Sequence, residues 1–213
     1  MSLNTSAFAN IIFDLGGVIL NIDYNLSVQA FEKLGLNQFD SHFSQAKQKE
    51  LFDLYEKGHI SSTEFRNQLK KQLNENVTDK DIDNAWNSLL LDLPKERLLL
   101  LEEIQKTHRT FLLSNTNEIH ILEFNNYLAK TFDIPNLSGY FEKAYLSYEI
   151  GMRKPDAEIF EFVINQNKLN PLETLFIDDS IQHIESADAL GIQTHWLKSG
   201  TTILDLFQIH DLS

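Results

Sequence analysis

The hydrophobic positions of this chain follow two rhythms, and the change between them divides it. Near the start, Ile11-Ile12-Phe13 is an unbroken apolar run that ends in Asp14, with Gly16-Gly17 just beyond. An unbroken run of this length suits a strand buried on both faces, and the acid and the glycines mark the turn at its C-terminal tip. From about Asp23 to Leu93 the spacing is helical. Val28, Phe31 and Leu34 form one stripe, with Gly35 placed to stop it, and Leu51, Leu54 and Tyr55 form another, closed by Gly58. Ser61-Ser62-Thr63-Glu64 reads as a capping box ahead of Phe65, Leu69 and Leu73. Thr78 is placed to cap a fourth helix that turns Ile82, Trp86 and Leu89 or Leu90 inward. Four short amphipathic helices predict a small bundle.

Beyond Leu93 strands and helices alternate. Pro94 fits the first turn of a helix through Leu98 and Leu101 to Ile104. Thr110 to Leu113 predicts a second strand ending at Ser114-Asn115, and Lys143 to Leu146 a third. A helix with Ile159, Phe160 and Val163 precedes strand four, Thr174 to Ile177, which ends at Asp178-Asp179. The next helix carries Ile184, Ala187 and Leu190, and strand five runs from Ile192 to Leu197. This alternation predicts the α/β class, a Rossmann-like doubly wound parallel sheet. Right-handed crossovers bring every strand's C-terminal tip to one edge, where ligands of such sheets bind. We therefore expect an α/β core domain over 1–20 and 94–213, with a helical cap over 21–93 inserted after the first strand.

Composition narrows the partners more than the fold. The 213 residues carry a formal net charge of −13, which argues against nucleic acid and anionic membranes as partners. An anionic substrate would then depend on local positive charge. No apolar run approaches the roughly 20 residues of a membrane span, and the N-terminus has no basic and apolar leader pattern. There is no cysteine, hence no disulfide framework and no thiolate site. The expectation is a cytoplasmic protein, a monomer or weak dimer.

Four polar clusters sit where the pattern puts strand tips. Taken alone, Asp14 reads equally as a loop acid beside two glycines or as a carboxylate nucleophile able to form an aspartyl-phosphate. Asp178-Asp179 reads as a helix cap plus one surplus acid, or as ligands for a divalent cation together with Asp14. Ser114-Asn115 reads first as an N-cap, and second as a hydroxyl and an N–H that hold phosphate oxygens. Lys154, ahead of Pro155, reads as a solvated lysine or as the cation that offsets a phosphoryl group. Arg153 is expected to point away. His42, His59, His108, His120 and His195 show no ligand-like spacing, Trp86 and Trp196 are expected in the core, and Asp23-Tyr24 reads as loop or as a hinge lining.

The order of the clusters carries more than any one of them. Asp14 with Gly17, then Ser114, then Lys154-Pro155, then Asp178-Asp179 resembles the four motifs of the haloacid dehalogenase (HAD) superfamily. FDLGGVILNID, SNTNEIH, GMRKPD and LFIDDSIQHIESADALGI are similar to its branch with a small helical cap, in particular to α-D-glucose-1-phosphate phosphatases and the phosphatase-type domain of epoxide hydrolases. The resemblance implies strand order 5-4-1-2-3. It implies Asp14 as nucleophile and Mg²⁺ ligand, the Gly16 carbonyl and Asp179 as further ligands, and Asp178 in the metal site directly behind them or through water. Ser114, the Asn115 backbone and Lys154 would grip the phosphoryl group.

Two positions depart from the family pattern. Gly16 stands where family phosphatases carry a second Asp as acid and base, and His183 where Asn or Asp is usual. Loss of the acid favours substrates whose leaving group needs less protonation, so the expected substrate is a small phosphorylated metabolite such as a sugar 1-phosphate. The alternative is a weakly active or inactive protein that binds a phosphorylated ligand or a partner. Dehalogenation on the same fold is disfavoured by Asp179, which suits a metal that such dehalogenases do not use.

Overall fold

The computed structural model describes residues 5–36 and 50–207. His42 lies outside them. Among the described residues, five strands form one parallel sheet: β1 (Asn10–Phe13), β2 (Arg109–Ser114), β3 (Lys143–Leu146), β4 (Thr174–Asp178) and β5 (Gln193–Trp196), in the order β3-β2-β1-β4-β5. This is the expected order. The crossovers are helical: α1 (Tyr24–Lys33), α2 (Glu50–Glu56), α3 (Ser62–Lys70), α4 (Asp79–Asn87) and α5 (Lys95–Ile104) lie between β1 and β2. After β2 come α6 (Glu118–Phe132), the short α7 (Ser147–Ile150), α8 (Ala157–Asn167), α9 (Ile181–Asp188) and α10 (Ile203–Leu206). No helix among the described residues is long and apolar enough to cross a membrane.

The period of two decides which side chains share a face. Ile11, Phe13, Leu112, Leu175 and Ile177 pack into one hydrophobic cluster, while Ile12, Phe111, Leu113 and Phe176 pack into the other, against Ile159, Phe160 and Val163 of α8. Both faces are covered, which accounts for the continuous apolar runs. A third cluster belongs to the helical segment: Phe31, Phe52, Tyr55, Phe65, Leu69, Ile82 and Trp86, joined by Ile119 of α6.

Local signals set the helix ends. Asp23 caps α1, accepting from Asn25 N. The Ser61 hydroxyl accepts from Glu64 N at α3, and Thr78 with Asp81 forms the reciprocal capping box of α4. Two expectations shift here. Asn117, rather than Ser114, caps α6, and Ser180, rather than Asp178, stands at the N-cap position of α9, without a side-chain cap bond. The strands run one residue farther than the apolar runs suggest, so Ser114 and Asp178 belong to strand ends and the N-cap positions fall beyond them. Trp196, expected in the core, is 39% exposed. It ends β5, the edge strand, and its indole N–H donates to the Asp179 carbonyl at 2.9 Å.

The chain enters and leaves the helical segment side by side. Asn21 N donates to Asp92 O at 3.0 Å, Leu91 N to Asn21 O at 3.0 Å and Asp23 N to Leu89 O at 2.9 Å, with Ile22 bridged antiparallel to Leu90.

Candidate active site

Register delivers the first two acids. Phe13 pairs with Ile177, so Asp14 and Asp178 lie side by side one step on, and Asp14 N donates to Ile177 O at 3.0 Å. Alternation sends both side chains to the face of Ile12 and Phe176. Lys154 arrives there from the loop before α8. Its fully buried ammonium donates to Asp14 Oδ1 at 2.8 Å and to Asp178 Oδ2 at 2.6 Å, and lies 5.3 Å from the centre of the Phe176 ring. A lysine is stable at such depth only when its charge is matched, and here two carboxylates match it.

Asp179 completes the group. Ligand-type oxygens of Asp14, Asp178 and Asp179 lie within 4.8 Å of one another. Asp178 is the most tied down. Besides Lys154, its oxygens accept from Ser180 N at 2.8 Å and from His183 Nδ1 at 2.9 and 3.0 Å. Asp14 and Asp179 therefore remain the two acids best able to turn an oxygen toward a hard cation, and oxygen donors of this kind suit Mg²⁺.

Charge balance separates the three acids. Burial works against an ionised Asp178, yet Lys154 and the His183 hydrogen bond outweigh it and hold the carboxyl down to about 2. Burial raises Asp14, Lys154 offsets this only in part, and Asp178 adds to the rise. Asp179 is pushed up to about 7 by burial and then by Asp14 and Asp178. Burial alone would lower the Lys154 ammonium, but Asp14 and Asp178 together raise it. Three ionised carboxylates around one ammonium carry two surplus negative charges, which a divalent cation would offset.

The glycines shape the floor. Gly17 has φ +75°, and a Cβ there would stand 2.2 Å from Asp179 Oδ2, so only glycine lets the turn and that carboxylate approach so closely. A Cβ on Gly16 would meet Ile22 Cδ1 at 3.0 Å. An apolar methyl, with no carboxylate, thus fills the space beside Gly16. Ser114 is buried at the tip of β2, one residue past the level of Asp14. The Asn115 side chain holds the Lys154 backbone from both sides, donating to its carbonyl at 2.7 Å and accepting from its N–H at 2.9 Å. Ser147 likewise clamps Thr116, accepting from its N–H and donating to its carbonyl, each at 2.9 Å. These two brackets fix the β2 loop against the lysine loop.

Above this floor lies a cleft of about 540 Å³, open solvent at its mouth included. Gly16, Ser114 and Asn115 form its base, and Tyr24, Glu56, Trp86 and His120 are among the residues over them. A second cleft, reaching Gly17 and Asp179, shares Ile22 and Tyr24 with the first. Sequence reasoning named Asp14, Gly16, Ser114, Asn115, Lys154, Asp178 and Asp179, and the structure brings all seven to one sheet edge. It gives no role to Glu56 or His120, and reads Tyr24 as loop or hinge lining; all three line the cleft. One signal for Glu56 was present. It ends α2 with no basic residue in that last turn, where an acid opposes the helix dipole. The compensation comes from Arg153, whose guanidinium reaches Asp53 Oδ1 at 2.7 Å and Glu56 Oε2 at 3.0 Å. Arg153 does turn from the acid cluster, toward α2.

Comparison with known proteins agrees with this geometry. Residues 11–197 match the family model of haloacid dehalogenase-like hydrolases. The D-ribitol-5-phosphate phosphatase of Bacteroides thetaiotaomicron is 35% identical over 191 residues, covering 90% of this chain and 92% of that protein. A HAD family enzyme of the same species, solved as an Asp-to-Ala variant with magnesium and inorganic phosphate, superimposes with TM-score 0.82 at 38% identity, over 91% of this chain and 95% of its own. A HAD-like hydrolase from Porphyromonas gingivalis gives TM-score 0.79 at 30% identity, over 91% and 93%.

Proposed function

This chain belongs to the haloacid dehalogenase-like hydrolases, and on that premise we propose that it is a Mg²⁺-dependent phosphatase of small phosphorylated sugars or polyols. The observation that carries the reading is the buried Lys154 held between Asp14 and Asp178 with Asp179 alongside. Asp14 is the nucleophile. Lys154 opposes the rise that burial gives the Asp14 carboxyl and lies beside the position of the equatorial phosphoryl oxygens. The Ser114 hydroxyl and the Asn115 N–H hold those oxygens. Asp14, Asp179 and the Gly16 carbonyl would hold Mg²⁺, which supplies positive charge to the phosphoryl group. Asp178 acts through Lys154 and His183 by fixing the lysine. Attack forms the aspartyl-phosphate of Asp14 and releases the alcohol, and water then returns the carboxylate and phosphate. The helices between 21 and 93 serve as a cap, tethered by the paired crossings at 21–23 and 89–92.

Leaving-group chemistry sets the finer choice. Gly16 by itself favours sugar 1-phosphates, whose anomeric oxygen departs readily. The relative named for ribitol 5-phosphate releases a primary alcohol, which calls for a proton donor. A panel of phosphorylated sugars and polyols with Mg²⁺, run on the parent and on Asp14→Asn, tests the reading. Turnover that vanishes in the variant is the expected result. Equal turnover in both would remove the covalent mechanism, and no turnover of any ester would favour a binding protein.

A further inference from the structure

The gap beside Gly16 raises the question of where the proton comes from. Ile22 fills that space, so the donor must enter from another wall of the cleft. Among the described residues, three titratable side chains line the cleft over Gly16, Ser114 and Asn115: Tyr24, Glu56 and His120. His120 is a poor acid. Burial holds its ring neutral, down to about 3, and Nδ1 is engaged with Asn87 Oδ1 at 2.8 Å. Tyr24 is a poor acid as well, since burial and the nearby Asp179, Asp14 and Glu56 push its phenol above the ordinary range. Glu56 differs from both. Its side chain is only 15% exposed, burial raises its carboxyl despite Arg153, and Arg153 Nη2 anchors Oε2.

We propose that Glu56, reaching in from the end of α2, is the general acid and base that the chain lacks at Gly16. This rests on the phosphatase reading above. As Asp14 Oδ attacks phosphorus, the bond from phosphorus to the alcohol oxygen breaks, and that oxygen takes the Glu56 proton. In the second step water attacks the phosphoryl group, the bond to Asp14 breaks, and the proton of the water returns to Glu56. Protons balance over the cycle, and no other reactant is needed. The neighbouring charged groups are Arg153, Asp53 and Lys154. Arg153 also aims the acid, because it holds Asp53 and Glu56 on one guanidinium and is the residue before the catalytic lysine.

The test compares two leaving groups by kcat/KM, which reports the first step. Nitrophenolate departs from p-nitrophenyl phosphate without a proton, whereas ribitol departs from ribitol 5-phosphate only with one. Glu56→Gln is expected to lower kcat/KM for ribitol 5-phosphate by roughly 10²–10⁴-fold while changing that for p-nitrophenyl phosphate little. It should also show a nitrophenolate burst, because the phosphorylated enzyme accumulates. Glu56→Asp should keep part of the ribitol 5-phosphate activity, and it carries the same comparison if the amide variant folds poorly. Asp53→Asn, which loosens the other Arg153 contact but keeps the Glu56 carboxyl, should lower the ribitol 5-phosphate activity far less than Glu56→Gln and leave p-nitrophenyl phosphate near the parent. Equal losses on both esters in Glu56→Gln, no loss on either, or the same selective loss in Asp53→Asn would overturn the proposal. So would a parent that cleaves p-nitrophenyl phosphate and no primary alkyl phosphate. Full activity in Asp14→Asn would instead overturn the covalent mechanism, and a parent that turns over no ester would overturn the phosphatase reading itself.

Discussion

The sheet tip and the helical roof above it treat charge in opposite ways. At the tip, Lys154, Asp14 and Asp178 are buried and charged, each matched by a partner within 2.8 Å. In the roof, Trp86 stacks on Phe52 at 5.3 Å between ring centres and on His120 at 5.1 Å, with Phe65 edge-on at 5.0 Å, and burial strips His120 of its charge. The tip is positioned by backbone register, the roof by the shapes of rings. A change at the tip should therefore act on electrostatics first, and a change in the roof on packing first.

Lys154→Met should break this contrast most severely. It leaves Asp14 and Asp178 buried without their cation, at a cost of about 3–5 kcal/mol, and it should abolish turnover. Mg²⁺ should raise the urea midpoint of this variant more than that of the parent, since it supplies the missing positive charge. Equal midpoint gains would mean that the acids are not compensated by the metal. Trp86→Ala is the matching change in the roof. Loss of a fully buried indole in a packed aromatic cluster should cost about 3 kcal/mol or somewhat more. Mg²⁺ affinity by calorimetry should stay at the parent value while KM rises. A parallel fall in Mg²⁺ affinity would show that tip and roof are one unit.

The same contrast explains what could be read from the sequence. Asp14, Ser114 and Asp178-Asp179 each end an apolar run, so strand pattern and parallel topology together place them at one edge. Lys154 was legible only from its order among the motifs, because nothing local separates it from a solvated lysine. Glu56 carried only the weak signal of an acid at a helix end, and His120 was not legible. Each sits on a helix whose rotation about its axis is set by which rings it meets, and that depends on Phe52, Phe65 and Trp86 packing from three separate helices. Trp196 failed for a related reason. An apolar residue at the end of a strand says nothing of whether the strand lies at the sheet edge.

Acid should separate the two regions by the smallest but cleanest effect. His120 has its pKa lowered from the ordinary 6.5 to about 3, so the unfolded chain binds its proton at a pH where the folded chain does not. Stability from this group is complete above pH 6.5 and is lost as pH falls from there toward 3. From about pH 7.5 to about pH 5, the loss assigned to His120 reaches at most about 2 kcal/mol. His120→Gln removes the titration but keeps a polar group near Asn87, so its urea midpoint should fall less over the same interval. The double difference, parent minus variant at each pH, isolates His120 from the acids at the tip. Of these, Asp179 shifts in the opposite sense: pushed up to about 7, it destabilises the folded state at neutral pH and eases as pH falls. Added Mg²⁺ should therefore flatten the Asp179 contribution while leaving the His120 difference in place. A His120 difference that disappears with Mg²⁺ would mean that the ring senses the metal site, and the division between the charged tip and the aromatic cluster of the roof would fail there.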